Sequence, residues 1–522
     1  MSASREKQLR QEKIGQPDPK TAREAQQRKQ EKRSNILYGT IAVVFVIVAL
    51  ASLIWRSNII ERSATAATID GEKYTAAEVN FFYQNAYRNF YNYNYYYMAY
   101  GLISLNTNAD LKDQVLTDSD ASMLGVEAGQ TWHDYFVDQA LDQMAAVQAA
   151  LKQADEEGFT YPAGVQAQYE DNMDSLKASA AASNVSVDQY LAGTFGSTMT
   201  EKVYGEQMYR ALKYDAYTSA YDDRLTYDNA ALTAAYSADP NSYDKVAYES
   251  VTILGSAAGT TDADGNTVDP TDEEKDAAKQ SAKDAADEML AAYRNGKKLE
   301  PLADANEKAT YNNNDGTIYS SGDVLSEWLF DDARKAGDSA VLESGTTYYV
   351  VVFHERFRDE YPTIDVRHIL IQPAAGELSE GDEGYEDEQA QLNADAKAKA
   401  EDILAQWQAG EATEASFSAL AMQESADGSK YTGGLIDGIT PDSSLVESFK
   451  NWCLDASRKP GDTGVVESDY GAHVMYFVGE QLPVWKANVV SDLRDAEYSE
   501  WLEGISADST IERHGFGMKF VG

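Results

Sequence analysis

The chain has 522 residues and a formal net charge of −42 at pH 7, with 86 Asp or Glu against 44 Lys or Arg. This length predicts three or four domains, and the acidic balance excludes a nucleic-acid partner, because a phosphate backbone requires a basic surface. The single cysteine, Cys453, excludes both an internal disulfide and a cysteine-rich zinc site.

The N-terminal part of the chain combines a basic segment with an apolar one. Residues 1–35 hold ten Lys or Arg against five Asp or Glu and lack apolar periodicity, which predicts a polar tail. Residues 36–55 carry no charge, and about 20 helical residues span a bilayer core of roughly 30 Å. We therefore predict a transmembrane anchor at residues 36–56 that places the N-terminus in the cytoplasm and the acidic bulk outside the cell membrane.

A cleaved signal peptide is the alternative interpretation of this segment. Ala64-Thr65-Ala66 resembles a cleavage site. The basic region is longer, and the apolar run exceeds the roughly 7–15 residues usual in a signal peptide, so an uncleaved anchor is the preferred interpretation.

Residues 57–243 show a mostly helical pattern. A strand, a turn at Asp70-Gly71 and a helix start at Thr75 are predicted, with Glu78 completing a capping box. The following helix is unusually rich in tyrosine and phenylalanine between residues 81 and 100. Such a surface suits a groove for unfolded chains, whereas an ordinary core with a wide aromatic face is the simpler alternative.

The second half of the chain contains an internal repeat. Residues 326–353 and 450–477 align without a gap at an offset of 124. Further similar segments upstream extend each copy to about 115 residues, which predicts two similar domains at residues 244–356 and 363–480. Within the second copy, the acidic insertion Gly376–Gln389 predicts a solvated loop.

The second copy resembles the parvulin family of peptidyl-prolyl isomerases. Five motifs stand in the family's order: Val366-Arg-His-Ile-Leu-Ile371, Phe417-Ser-Ala-Leu-Ala421 with Ser425-Ala-Asp427, Gly433-Gly-Leu435, Phe449, and Pro460-Gly-Asp462 with Tyr470-Gly-Ala-His-Val474. The resemblance implies an α+β fold in which helices flank a small sheet. The wider layout is similar to Gram-positive extracytoplasmic foldases and the chaperone SurA, which implies that residues 57–243 and the C-terminal segment 481–522 form one helical chaperone body.

The resemblance also implies the catalytic residues. The family's paired histidines correspond to His368 and His473, and Asp427 stands where the family places a Cys or Asp facing the substrate amide. The alternative for each of these residues is a purely structural role, as a buried histidine or as an aspartate in an Asp-Gly turn. Two histidines without further ligands at suitable spacing do not make a metal site, so no metal or cofactor is expected.

Four more residues are implied to contact the substrate: Leu435, Leu445 and Phe449 in the apolar proline pocket, and Tyr470 near the histidines. The pocket departs from the family's pattern, because Ile436-Asp-Gly-Ile439 replaces the usual aromatic and Leu445 replaces a common Met.

The first copy has Ser250 and Tyr349 near the histidine positions and lacks the glycine pair, which predicts a degenerate domain without isomerase activity.

Together these features predict a membrane-anchored, extracytoplasmic peptidyl-prolyl isomerase and chaperone. Its partners would be unfolded or newly exported polypeptides with X-Pro bonds, and its oligomeric state stays open. The alternative is a non-catalytic holdase or assembly scaffold that retains the parvulin fold, because a fold alone does not guarantee activity.

Overall fold

The structure is a computed structural model that describes residues 43–48, 58–261 and 267–522. The predicted tail at residues 1–35 and most of the predicted anchor at residues 36–56 lie outside the described residues. Of the anchor, residues 43–48 are described, and they are helical. Within the described part of the chain, no helix combines the length and apolar character needed to cross a membrane.

From residue 58 onward the chain contains mostly helical regions and regions that combine helices with strands. The α-helices are α1 (Ile59–Ser63), α2 (Ala76–Ala99), α3 (Asp118–Leu124), α4 (Trp132–Glu157), α5 (Ala163–Ala182), α6 (Val187–Phe195), α7 (Glu201–Arg224), α8 (Asn229–Ala238), α9 (Asp272–Arg294), α10 (Leu299–Asp304), α11 (Val324–Leu329), α12 (Tyr385–Ala409), α13 (Glu414–Glu424), α14 (Glu447–Cys453) and α15 (Val484–Ser506). The strands are β1 (Thr65–Ile69), β2 (Glu72–Thr75), β3 (Asp244–Leu254), β4 (Thr260–Thr261), β5 (Thr267–Val268), β6 (Ala309–Ile318), β7 (Ser339–Ser344), β8 (Thr347–Arg358), β9 (Pro362–Ile371), β10 (Leu435–Ile439), β11 (Thr463–Ser468), β12 (Gly471–Pro483) and β13 (Ile511–Arg513).

The chain divides into two compact units. Among the described residues, the first unit contains those up to Phe159 together with Tyr169–Tyr214 and Glu503–Gly522, and the second contains those in Thr160–Gln168 and Asp215–Leu502. Each unit therefore combines segments that are distant in sequence.

The first unit is built on a small antiparallel sheet with the order β13-β1-β2, in which Ala67 of β1 pairs with Arg513 of β13. The C-terminal segment thus completes a sheet that begins near residue 65. Helix α2 starts as its sequence predicts, because the Thr75 side chain accepts from the Glu78 backbone and the Glu78 side chain accepts from the Thr75 backbone.

Aromatic side chains on the facing sides of α2 and α4 form the core of the first unit. The ring of Phe90 lies 5.3 Å from that of Trp132 and 5.4 Å from that of Phe136. The C-terminal end of α2 differs, because Tyr93, Tyr96 and Tyr100 are 84%, 71% and 77% exposed. The aromatic helix is therefore a core element in its first half and an open surface at its end.

The second unit contains two four-stranded antiparallel sheets. The first sheet has the order β6-β3-β8-β7 and the second has the order β10-β9-β12-β11. Numbered within each sheet by chain order, both read 2-1-4-3. Helices α9 and α10 pack against the first sheet, and α12 and α13 pack against the second, where Trp407 and Phe417 are buried.

One local prediction is wrong. The acidic segment Gly376–Gln389 was expected to be a loop to its end, but α12 already starts at Tyr385. Glu386, Asp387 and Glu388 lie in the first turn of this helix. Negative charges are favourable at a helix N-terminus because of the helix dipole, so the same residues that suggested a solvated loop support a helix start.

Candidate active site

Two neighbouring strands of the second sheet bring His368 and His473 together. In the antiparallel pairing of β9 with β12, His368 lies opposite Met475 and His473 lies opposite Leu370. The two histidines are therefore diagonal neighbours on one face of the sheet, close enough for their side chains to interact. Both are buried, with 4% and 5% of their surfaces exposed.

A continuous hydrogen-bonded chain runs through the two imidazoles. The Nδ1 atoms of His368 and His473 are 3.3 Å apart. On one side, Nε2 of His368 lies 3.2 Å from Oδ1 of Asp427 and 3.1 Å from Oγ of Ser429. On the other side, Nε2 of His473 lies 2.7 Å from Oγ of Ser468.

The electrostatics of Asp427 fix the direction of this chain. The hydrogen bond from His368 holds the pKa of Asp427 well below its usual range, and bonds from Ser429 add to this effect although partial burial opposes it. An ionised carboxylate only accepts hydrogen bonds, so Nε2 of His368 carries a proton and donates to Asp427, and in the uncharged ring Nδ1 is then the acceptor.

It follows that Nδ1 of His473 donates to His368, and that Nε2 of His473 accepts from the Ser468 hydroxyl. Burial lowers the pKa of His473 to about 4, which keeps it neutral near pH 7. The imidazoles are thus held in defined tautomers, with Asp427 as the negative end of the chain.

Asp427 lies in a short loop that is fastened to the sheet. Its carboxylate caps the 3₁₀-helix Gly428–Thr432 by accepting from the Ser429 backbone at 2.8 Å. Just before it, the Ser425 hydroxyl accepts from the backbone N–H groups of Leu370 and Asp427 at 3.0 and 3.2 Å. With 37% of its side chain exposed, Asp427 is fixed at the histidines and still faces solvent.

Steric crowding explains a glycine in the pair that follows this loop. Gly434 has a φ of +75°, and a Cβ there would lie 2.3 Å from the carbonyl oxygen of His368. The backbone N–H of His368 donates to the Gly434 carbonyl at 2.8 Å. Because any side chain at this position would collide with the strand, only glycine allows the loop to approach His368 so closely.

An apolar wall flanks the imidazoles. The Phe449 ring on α14 lies 5.2 Å from the His368 ring and 5.3 Å from the His473 ring, edge to face in both cases. Leu445 is half-buried against the cluster that contains Phe449 and Met475. Leu435 begins β10, where it pairs with Arg367 and is half-buried.

Of the seven residues implied by the sequence, the structure brings His368, His473, Asp427 and Phe449 into direct contact and places Leu445 against the hydrophobic cluster that contains Phe449. Tyr470 differs, because its side chain is 62% exposed and its link to the site is a backbone N–H donated to Ser468 at 3.1 Å.

The serines that complete the hydrogen-bonded chain were not predicted. Ser468 and Ser429 contact the histidines, and Ser425 secures the loop of Asp427. Ser425 is part of the motif Ser425-Ala-Asp427, and Ser468 aligns with Ser344 in the internal repeat. The sequence therefore contained a pattern that could have indicated both serines. In the part of the chain that is described, no group of three or more His, Cys, Asp or Glu side chains is placed to hold a metal ion.

The comparison with protein families agrees with this geometry. Residues 352–480 match the family described as the PPIC-type PPIASE domain. This segment is therefore similar to PpiC-type, or parvulin-type, peptidyl-prolyl isomerase domains. No curated protein matched the chain.

Several solved structures are similar to a part of this chain. PrsA from Bacillus subtilis is 19% identical, covers 28% of this chain and 50% of its own, and has a TM-score of 0.20. PrsA from Bacillus anthracis is 18% identical, with 31% and 60% coverage and a TM-score of 0.18. A structure of SurA-like chaperones from Campylobacter jejuni is 21% identical, with 28% and 53% coverage and a TM-score of 0.17. The matched region thus spans about half the length of these structures.

Proposed function

We propose that the protein is a peptidyl-prolyl cis-trans isomerase and chaperone that assists the folding of exported polypeptides. The observation that carries the catalytic part is the chain Ser468–His473–His368–Asp427 beside the ring of Phe449. It combines a fixed, partly exposed negative charge with an apolar surface of the kind that suits a proline ring.

These groups suit the chemistry of an X-Pro amide. Rotation about this bond crosses a barrier of roughly 18–20 kcal/mol because conjugation between nitrogen and carbonyl is lost, and no covalent bond forms or breaks. In the planar amide the carbonyl oxygen carries more negative charge than in the twisted amide. A carboxylate beside that oxygen therefore destabilises the planar form more than the twisted one, which lowers the barrier.

The role of the histidines in this proposal is to hold Asp427. His368 donates to the Asp427 carboxylate, and His473 fixes the tautomer of His368, so the charge stays in one position while the amide rotates. Phe449 and Leu445 would receive the proline ring and exclude water from it.

The chaperone part of the proposal rests on the exposed tyrosines of the first unit. Tyr93, Tyr96 and Tyr100 present apolar rings with polar tips to solvent at the end of α2. Such side chains bind extended polypeptides of varied sequence at low entropic cost. This surface also supports the second candidate, a holdase that binds clients without catalysis.

We further propose the domain arrangement and the location. Residues 244–356 would be a degenerate parvulin-like domain, since their sheet has the same strand order as the second one. Residues 57–243 with 481–522 would form the chaperone body. The pairing of β13 with β1 supports the part of it that lies in the first unit, whereas residues 160–168, 215–243 and 481–502 belong to the second compact unit. The charge asymmetry around residues 36–55 supports a single-pass anchor with an extracytoplasmic bulk.

An isomerase assay on the full chain tests the proposal. The rate of cis-trans exchange in X-Pro peptides, measured by exchange NMR, is expected to rise with protein concentration. No acceleration for any X-Pro peptide, together with suppressed aggregation of an unfolded client, would favour the holdase. Replacing Tyr93, Tyr96 and Tyr100 with Ser is expected to weaken that suppression.

A further inference from the structure

Lys245 of the first sheet joins three parts of the second unit through its ammonium group. The Nζ atom lies 2.8 Å from Oδ2 of Asp359 and 2.9 Å from Oδ2 of Asp442. Asp359 belongs to the segment between β8 and β9 that connects the two sheets. Asp442 belongs to the turn between β10 and α14 of the isomerase domain. One cation of the first repeat is therefore bonded to the catalytic repeat.

The position of Lys245 is well defined. Its side chain is 22% exposed, and that of Asp359 is 9% exposed. A nearly buried carboxylate is costly without a partner, so Asp359 holds the ammonium in place. Gly316 on β6 leaves room for the lysine stem, because a Cβ there would lie 3.3 Å from Cδ of Lys245. Lys245 thus offers a fixed positive charge to Asp442.

Asp442 lies in a compact turn that leads directly to the apolar wall of the site. The Thr440 backbone donates to the Ser443 hydroxyl at 2.9 Å, and the Leu445 backbone donates to the Ser443 carbonyl at 2.9 Å. From the other side, Lys450 of α14 donates to the carbonyls of Pro441 and Ser443 at 2.9 and 3.3 Å. The turn at residues 440–445 is therefore held by α14 at one side and by Lys245 at the other.

We propose that Lys245 is a positioning residue for the isomerase site. By holding Asp442 it fixes the turn at residues 440–445, and so keeps Leu445 packed against the cluster of Phe449, the proposed site of the substrate's proline ring. This inference rests on the proposed function. It assigns to the first repeat a task in catalysis, since Lys245 lies outside the matched segment 352–480.

The two ion pairs of Lys245 differ in strength. Asp442 is 70% exposed, so its pair with Lys245 is weak and screened by salt, whereas the pair with Asp359 is shielded. The contact to Asp442 therefore adjusts substrate affinity, and the contact to Asp359 maintains the structure.

Asp442→Asn in the full chain separates these roles, because it leaves the Lys245–Asp359 pair intact. We expect KM for an X-Pro peptide to rise roughly three-fold with kcat nearly unchanged, which is the size a partly exposed ion pair accounts for. Lys245→Met should raise KM at least as much and also destabilise the protein, because Asp359 loses its partner. Lys245→Arg keeps the charge and should leave KM near the wild-type value. High salt should raise the KM of the wild type toward that of Asp442→Asn and leave the variant unchanged. Asp402→Asn, an exposed charge removed from α12, is the matched control.

Hydrogen exchange gives a readout that does not depend on catalysis. The amides of residues 443–445 should exchange faster in Asp442→Asn than in Asp402→Asn. An inactive wild type would refute the proposed function, and faster exchange would still support the positioning of the turn. Unchanged KM in an active protein, or unchanged exchange in an inactive one, would overturn the inference.

Discussion

The two sheets of the second unit have the same strand order and the same register around the position of the site. Ser250 lies opposite Val351 on the first sheet just as His368 lies opposite Met475 on the second. Two residues further, Thr252 lies opposite Tyr349, as Leu370 lies opposite His473. Ser250 and Tyr349 therefore occupy the two positions of the histidines, although the backbone around them is equivalent.

The larger difference lies in the loop that carries Asp427. On the second sheet, residues 425–434 connect α13 with β10 and supply both Asp427 and the glycine pair. On the first sheet α10 ends at Asp304 and β6 starts at Ala309, which leaves no room for such a loop. Two sheets with the same strand order and register thus differ in one loop and in two strand positions, and these are the features that carry the candidate site.

The largest expected effect concerns Phe449, whose ring packs against both histidines. Phe449→Ala should lower the free energy of unfolding of the second sheet by about 3–5 kcal/mol, because it removes a buried ring that is 3% exposed. The matching residue on the first sheet is Leu325, which is half-buried, so Leu325→Ala should cost less, about 2 kcal/mol or below. Urea denaturation followed by tryptophan fluorescence measures both. Equal losses would contradict the central position of Phe449.

A second test uses pH. The pKa of His473 is lowered from 6.5 to about 4 by burial, so the unfolded chain gains a proton there that the folded chain does not. As pH falls from about 6.5 to 4, the free energy of unfolding should therefore drop by up to about 3 kcal/mol from this residue. His473→Asn should flatten this dependence. An identical pH dependence in the variant would show that His473 does not titrate in this way.

A smaller effect is expected at the serine that ends the hydrogen-bonded chain. Ser468→Ala removes the hydroxyl that donates to Nε2 of His473 and leaves this buried nitrogen without its donor, at a cost of about 1–2 kcal/mol. Ser344 is the matching residue on the first sheet and is exposed. Ser344→Ala should change the free energy of unfolding by less than about 0.5 kcal/mol. Similar values for both serines would remove Ser468 from the network.

Much of the fold follows from local signals in the sequence. Thr75 and Glu78 marked the start of α2 correctly, because a capping box satisfies backbone groups through neighbours in sequence. The repeat at an offset of 124 predicted two similar domains, and the structure contains two sheets with the same strand order. Helix α5 was not predicted, and its polar, alanine-rich sequence has little apolar periodicity.

In the candidate site, too, some residues were predictable from the sequence and others were not. Motif order indicated His368, His473 and Asp427, which the structure brings together. The exposure of Tyr470 and the contacts of Ser429 were not predictable, since they depend on how a turn and a loop meet the sheet. The bond from Lys245 to Asp442 joins residues 197 positions apart, and no local pattern specifies it.

The most direct test of the account is the isomerase rate of the full chain with the charge of Asp427 removed. Asp427→Asn keeps the size of the side chain and its ability to cap the 3₁₀-helix, so the fold should be retained. We expect the rate of X-Pro exchange to fall about ten-fold or more, equivalent to at least roughly 1.4 kcal/mol of transition-state stabilisation. The double variant Ser250→Ala with Tyr349→Phe, at the matching positions of the first sheet, should keep the wild-type rate. An unchanged rate in a folded Asp427→Asn, or an equal loss in the double variant, would contradict the claim that the second sheet alone carries the site.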